Sequence, residues 1–180
     1  MKGGICLTGG IACGKSLLCR YLNEFGVETL DADDIVHELV PEEERRRLAK
    51  EVFRNPAARK ALEARLHPLV RERLDAWKSA AAGKIRVCVI PLVFEVHWDA
   101  DYDIICCVTS ERQTQVERMV TKRGYTREEA ESRLAAQMPV EEKAAKSQYT
   151  IRNDGSPEEL RNQAAAFAVW LKEKTNERRI

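Results

Sequence analysis

The chain has 180 residues, of which 44% are hydrophobic and 33% charged. That suits one compact domain with a real core and a densely ionic surface. A formal net charge of +1 gives no sign of a polyanion-binding protein. No apolar run approaches the roughly 18 residues that a membrane span needs. Nucleic-acid and membrane partners are therefore not expected, and a monomer or weak homo-oligomer is.

In chain order, Met1-Lys2-Gly3-Gly4 leads at once into the apolar run Ile5, Cys6, Leu7, closed by Thr8. No signal peptide is expected from such a start. Gly9-Gly10-Ile11-Ala12-Cys13-Gly14-Lys15-Ser16 follows, with glycine, four residues and then Gly-Lys-Ser. Leu17, Leu18, Tyr21, Leu22 and Phe25 continue at helical spacing. A phosphate-binding loop thus stands between a predicted strand and a predicted helix, the context that gives this pattern its meaning. Its glycines let backbone N–H groups converge on a phosphate, and the helix N-terminus adds partial positive charge. In that arrangement Lys15 reaches the β- and γ-phosphates and the Ser16 hydroxyl holds Mg²⁺.

Gly26 is a candidate helix stop, and Val27 to Leu30 a second short strand. It ends in Asp31-Ala32-Asp33-Asp34, where carboxylates must face water, a cation or a reacting proton. Asp33 and Asp34 are also placed to cap the helical pattern Ile35, Val36, Leu39. Pro41 to Arg47 is a charge run on an exposed helix start, with Leu48, Val52 and Phe53 as its apolar side. Asn55-Pro56 predicts a cap and first helical position. Leu62, Leu66, Leu69, Val70, Leu74 and Trp77 follow at helical spacing, and Pro68 is expected to interrupt them. The interruption reads either as a kink that turns His67 aside or as a simple bend between two helices.

Ile85 to Leu92 predicts a buried third strand, leading into Pro91-Leu92-Val93-Phe94-Glu95, and Ile104 to Val108 a fourth. Ser110-Glu111-Arg112-Gln113 and Thr126-Arg127-Glu128-Glu129 read as capping boxes. Between them Arg118, Lys122 and Arg123 precede Gly124. A basic helix, a glycine hinge and a second charged helix suit a mobile lid over a transferring phosphoryl group. Gln137-Met138-Pro139 is expected to end that second helix. Tyr149 to Asn153 predicts the last strand, and Ser156-Pro157-Glu158-Glu159 starts a final helix with Leu160, Ala164, Phe167 and Leu171 inward.

Apolar strands separated by helices predict an α/β fold of the phosphate-loop NTPase type. A five-stranded parallel sheet would carry helices on both faces, an inserted helical acceptor-binding lobe and a helical lid. We expect one domain, with the core at about 1–33, 84–110 and 148–180, the lobe at about 34–83 and the lid at about 111–147. Among the six cysteines no CxxC pair occurs. Four lie in apolar runs, a pattern of a reducing compartment and hence of the cytoplasm. Cys13, inside the loop, is either a thiol activated by nearby N–H groups or a tolerated small residue.

A GTPase would need a guanine-specific Asn-Lys-x-Asp, which is missing, and a small kinase fits the whole. Several stretches in order carry a closer resemblance. They are Leu7-Thr8-Gly9-Gly10-Ile11 with Gly14-Lys15-Ser16, Asp31-Ala32-Asp33, His67-Pro68 and Pro91-Leu92-Val93-Phe94-Glu95. Arg123 to Ala130, Ala136-Gln137-Met138-Pro139 with Glu142-Lys143, and Ile151 with Asn153 and Gly155 complete them. The chain resembles bacterial dephospho-CoA kinases over nearly its whole length. The resemblance implies transfer of the γ-phosphoryl group of ATP, with Mg²⁺, to the ribose 3′-hydroxyl of dephospho-CoA. It implies that the nucleotide lies on residues 9–17 (Gly9, Gly10, Ile11, Ala12, Cys13, Gly14, Lys15, Ser16, Leu17) and Asn153. It makes Asp33 the proton acceptor, with Asp31 as the alternative, and Arg118 and Arg123 the charge stabilisers beside Lys15. Asp31, His67, Arg71, Leu92, Phe94 and Glu95 become candidates for the acceptor side, Phe94 being equally suited to the core. The family usually has glycine where Ala12 stands and often aspartate where Arg152 stands, and the segment from Asp34 to His67 is short.

Overall fold

The computed structural model describes residues 4–44, 55–80 and 83–177. Five strands form one sheet: β1 Ile5–Gly9, β2 Val27–Asp31, β3 Ile85–Val89, β4 Ile104–Thr109 and β5 Tyr149–Arg152. Their order is β2-β3-β1-β4-β5 and every neighbouring pair is parallel. The register sets Ile5 opposite Val87 and Ile104, so β1 is central and hydrogen-bonded on both sides. That is why it is buried throughout.

Alternation along the strands feeds two cores. Ile5, Leu7, Val87 and Val89 point to one face, covered by α1 Lys15–Glu24 and α7 Pro157–Glu177 through Leu18, Leu22, Phe167 and Leu171. Cys6, Cys88 and Ile90 point to the other, covered by α2 Ala32–Leu39 and α3 Pro56–Ser79 through Ile35, Val70 and Leu74. Each large side chain buried this way contributes roughly 1.5–3 kcal/mol. The parallel strands all end toward one edge, where such sheets bind ligands.

Three more helices extend beyond β4: α4 Arg112–Arg123, α5 Arg127–Ala135 and α6 Val140–Ala145. Gly124 caps α4 at φ 69°, and Val116, Met119 and Ala130 bind α4 to α5. The expected boxes at Thr126 and Ser156 are present. So are Asn55 as cap and Pro56 in the first turn of α3.

Four local expectations are corrected. Helix α3 runs unbroken through Pro68. Ala64 and Pro68 both lie on its exposed side, so the carbonyl deprived of its donor faces water. Strand pairing in β3 stops at Val89, and only the Ile90 N–H still reaches the Leu7 carbonyl, at 2.9 Å. Pro91 has no donor, and residues 91–97 turn instead. Ser110 caps nothing, since the cap of α4 is Glu111. Helix α5 ends at Ala135 rather than at Gln137, and α6 follows where no helix was expected. Of the charge run, residues 45–47 lie outside the described residues, as do Leu48, Val52 and Phe53.

Candidate active site

The loop between β1 and α1 closes because its residues allow it. At Gly9 the φ is 149°, and a Cβ there would sit 2.3 Å from the Val108 carbonyl oxygen. At Gly14 the φ is 93°, and a Cβ would meet the Asn153 amide at 2.1 Å. Only glycine fits either place.

Five successive loop carbonyls are held by side chains, two of them by the loop's own Lys15. The Lys15 ammonium donates to the Gly9 and Gly10 oxygens at 3.0 and 2.9 Å. Gln115 Nε2 donates to the Ile11 oxygen at 2.8 Å, and Arg118 to the Ala12 oxygen at 3.4 Å. Asn153 Nδ2 donates to the Cys13 oxygen at 2.8 Å. Fixing carbonyls this way orients the alternate groups of the peptide units, the N–H donors of an anion nest. Ser110 joins the set, donating to the Asn153 oxygen at 2.7 Å and accepting from Arg118 at 3.0 Å. Among the described residues the buried polar side chains are Thr8, Ser110, Gln115, Lys143 and Asn153. All of them touch this loop, its supports or the cleft wall beside it.

The loop opens on a cleft of about 480 Å³. Acidic Asp31 and Asp33 and basic Lys15, Arg118, Lys122 and Arg123 line it, with Ser16 and Gln137. Asp31 caps α2, its carboxylate accepting the Asp33 N–H at 3.0 Å, so the cap is Asp31 rather than Asp33 or Asp34. Burial raises the Asp31 carboxyl above its ordinary range, with the neighbouring Asp33 and Asp34 charges adding to it. Burial likewise lowers the Lys15 ammonium, and the Lys143 charge lowers it further. Ser16 and Asp31 together offer hard oxygen donors of the kind Mg²⁺ takes, and such an ion would relieve the partly buried Asp31 carboxylate.

The structure gathers some predicted residues and not others. Lys15, Ser16, Leu17, Asp31, Asp33, Arg118, Arg123 and Asn153 all line the cleft. His67, Arg71, Leu92, Phe94 and Glu95 do not. His67 packs edge-on to Trp98, and Arg71 lies over the same ring and pairs with Asp101. Phe94 is 5% exposed and packs in the core. Glu95 pairs with buried Lys143 at 2.7 Å. Cys13 is fully buried, and burial raises its thiol despite the nearby Lys15 charge, so it is the inert small residue and not the activated thiol.

Sequence reasoning missed Gln115, Ser110 and Lys143. Gln115 had no local signal, because its partners lie more than a hundred residues away. Lys143 was visible only as part of a family pattern.

A family model described as dephospho-CoA kinase matches residues 4–44 and 42–159. A dephospho-CoA kinase of Geobacter sulfurreducens is 36% identical over 92% of this chain and 96% of its own length. A crystal structure of a Thermus thermophilus protein superposes with a TM-score of 0.79 at 33% identity, covering 95% of this chain and 97% of that one. A dephospho-CoA kinase from Campylobacter jejuni superposes with a TM-score of 0.63 at 24% identity, over 94% and 97% of the two chains, and shares the fold.

Proposed function

The chain belongs to the dephospho-CoA kinase family, and we propose that its residues divide among them the transfer of the γ-phosphoryl group of ATP to the ribose 3′-hydroxyl of dephospho-CoA. The observation that carries this reading is the loop with five carbonyls held, facing a cleft where Lys15, Asp33, Arg118 and Arg123 meet.

The loop N–H groups and Lys15 bind the nucleotide phosphates. Ser16, with Asp31 beside it, would hold the Mg²⁺ of the nucleotide, which supplies neutralising charge. Asp33 orients the acceptor hydroxyl and takes its proton as the oxygen attacks the γ-phosphorus. Its exposed position lets an incoming hydroxyl reach it. Arg118, fixed by Ser110 and Ala12, and Arg123, at the end of α4, stabilise the charge on the equatorial oxygens. Asn153 acts through the loop it holds. The lobe of residues 34–83 and the lid of 111–147 take the acceptor and exclude water. Six free thiols suit the reducing cytoplasm. We assign the chain to the cytoplasm as a monomer or weak homo-oligomer, with no nucleic-acid or membrane partner. None of its described helices is long and apolar enough to cross a membrane.

The test is ADP release from MgATP with and without dephospho-CoA, the product being weighed for a gain of about 80 Da, one phosphoryl group. Acceptor-dependent release with that product is expected. In Asp33→Asn, kcat should fall on the order of 10²–10⁴-fold while MgATP affinity holds. Equal loss of both would move Asp33 to the metal site, and release indifferent to the acceptor would reject the substrate.

A further inference from the structure

Two cleft-lining residues stand outside the helices and strands. Pro91 has no N–H and stands just past the last paired residues of β3. Gln137 lies between α5 and α6. Pro91 and Met138, the neighbour of Gln137, are tied to one ion pair that is buried at Lys143 and partly exposed at Glu95. The Lys143 ammonium, fully buried, donates to the Pro91 oxygen at 2.7 Å and pairs with Glu95 Oε1 at 2.7 Å. The same Glu95 oxygen accepts the Met138 N–H at 3.1 Å, next to Gln137. Thr8, at the end of the central strand, donates to the same Pro91 oxygen at 3.0 Å.

Such a pair is a poor device for stability alone. An apolar pair of similar volume usually serves a core as well or better. Here the second carboxylate oxygen, Glu95 Oε2, is buried with no hydrogen-bond partner among the described residues. A site that keeps this arrangement gains something other than packing. What the contacts fix is the position of one part of the cleft against another: Pro91 on the sheet side, and the segment bearing Gln137 that follows the lid helices. Glu95, a candidate for the acceptor side, meets this segment.

We propose that Lys143 and Glu95 are a positioning pair for phosphoryl transfer, locking the Pro91 wall to the Gln137 segment so that the acceptor hydroxyl is presented to Asp33. The proposal rests on the kinase reading of the cleft. Displacement of one wall leaves the phosphate loop intact, because its carbonyls are held by other residues. The loss should therefore fall on the acceptor.

In Lys143→Met, kcat/KM for dephospho-CoA should drop on the order of 10²-fold, the scale of a misplaced reactant. The Kd of a non-hydrolysable MgATP analogue should stay within about threefold, and Lys143→Arg should recover most of the loss, since it keeps a cation able to bond carboxylate and carbonyl. Retention of acceptor kcat/KM within about twofold overturns the proposal. So does a parallel loss of acceptor efficiency and nucleotide affinity that Arg fails to rescue, which marks a merely structural pair. If Lys143→Met does not fold, Glu95→Gln, nearly isosteric, decides by the same criteria. Hydrogen exchange serves as a readout free of activity. In Glu95→Ala the Met138 amide should exchange on the order of tenfold faster while β1 and α1 keep their protection. Unchanged exchange rejects the lock. Wild-type protein that ignores dephospho-CoA rejects the substrate reading, and the exchange result then still decides whether the pair holds this segment.

Discussion

Ala12 holds a left-handed φ of 59° in the middle of the phosphate loop. An L-residue with a Cβ is strained there by about 1–2 kcal/mol. Glycine at this place would suit the backbone better, and alanine is tolerated at the cost of that strain. Ala12→Gly should raise Tm by about 1–4 °C, the relieved strain less the greater entropy of glycine in the unfolded chain. A calorimetric scan checks it. A lower Tm would mean that the methyl group's packing against Val116 and Met119 outweighs the strain. Asp31 is strained in another sense. Burial favours its protonated form, so the folded protein binds this proton more tightly than the unfolded chain does. Stability from this group is therefore greatest at low pH and declines as pH rises from the ordinary value of 3.8 through the raised one. Asp31→Asn keeps an oxygen to cap α2 and removes the partly buried charge. Its Tm should exceed wild type at pH 7, the difference vanishing below about pH 3.8, while turnover falls. Tm measured across that range decides, and a constant difference would point away from the charge.

Helix α4 is the element on which the loop and α5 meet. Its inner side carries Gln115, Val116 and Met119, and Gln115 alone reaches both Ile11 and the Cys13 sulfur. Gln115→Ala leaves the Ile11 carbonyl without that donor. We expect a loss of about 1–3 kcal/mol in unfolding free energy. MgATP affinity should fall by about tenfold, equivalent to 1.4 kcal/mol. Titration calorimetry with MgATP tests this, and unchanged affinity would show that the loop keeps its shape without α4. Such contacts mark where sequence reading stops. Strands and long helices follow from local periodicity, and the loop from its glycines and Lys15. Ser110 fits a capping pattern equally well, yet its hydroxyl goes to Asn153, a tertiary partner that no window of sequence contains. Six residues of α6 are too few to show a period, and its one telling residue, Lys143, looks like any surface lysine until it is buried. Pro68 was legible as a helix breaker, but whether a helix bends depends on which way the orphaned carbonyl faces.

For the molecule as a whole, the phosphate site is finished only by residues far apart in sequence: loop, α4 and β5 converge at the carboxyl edge of the sheet. A ligand that bridges them should stabilise all of them together. At one hundred times its Kd, a ligand bound only by the folded state adds about 2.7 kcal/mol, here about 5–10 °C in Tm. MgATP should give that shift. Mg²⁺ without nucleotide should give almost none, because no group of three or more His, Cys, Asp or Glu side chains among the described residues could hold a metal ion. Ser16 and Asp31 are too few for an ion that keeps most of its water and otherwise relies on phosphate oxygens. Chelation should accordingly abolish turnover without lowering the Tm of the nucleotide-free protein. Thermal shift in four conditions — protein alone, with Mg²⁺, with ATP and chelator, with MgATP — separates the terms. A large shift from Mg²⁺ alone would place a metal site within the chain itself. A shift from ATP and chelator equal to that from MgATP would confine the ion's role to the chemical step, leaving Lys15 and the loop N–H groups to bind the phosphates unaided.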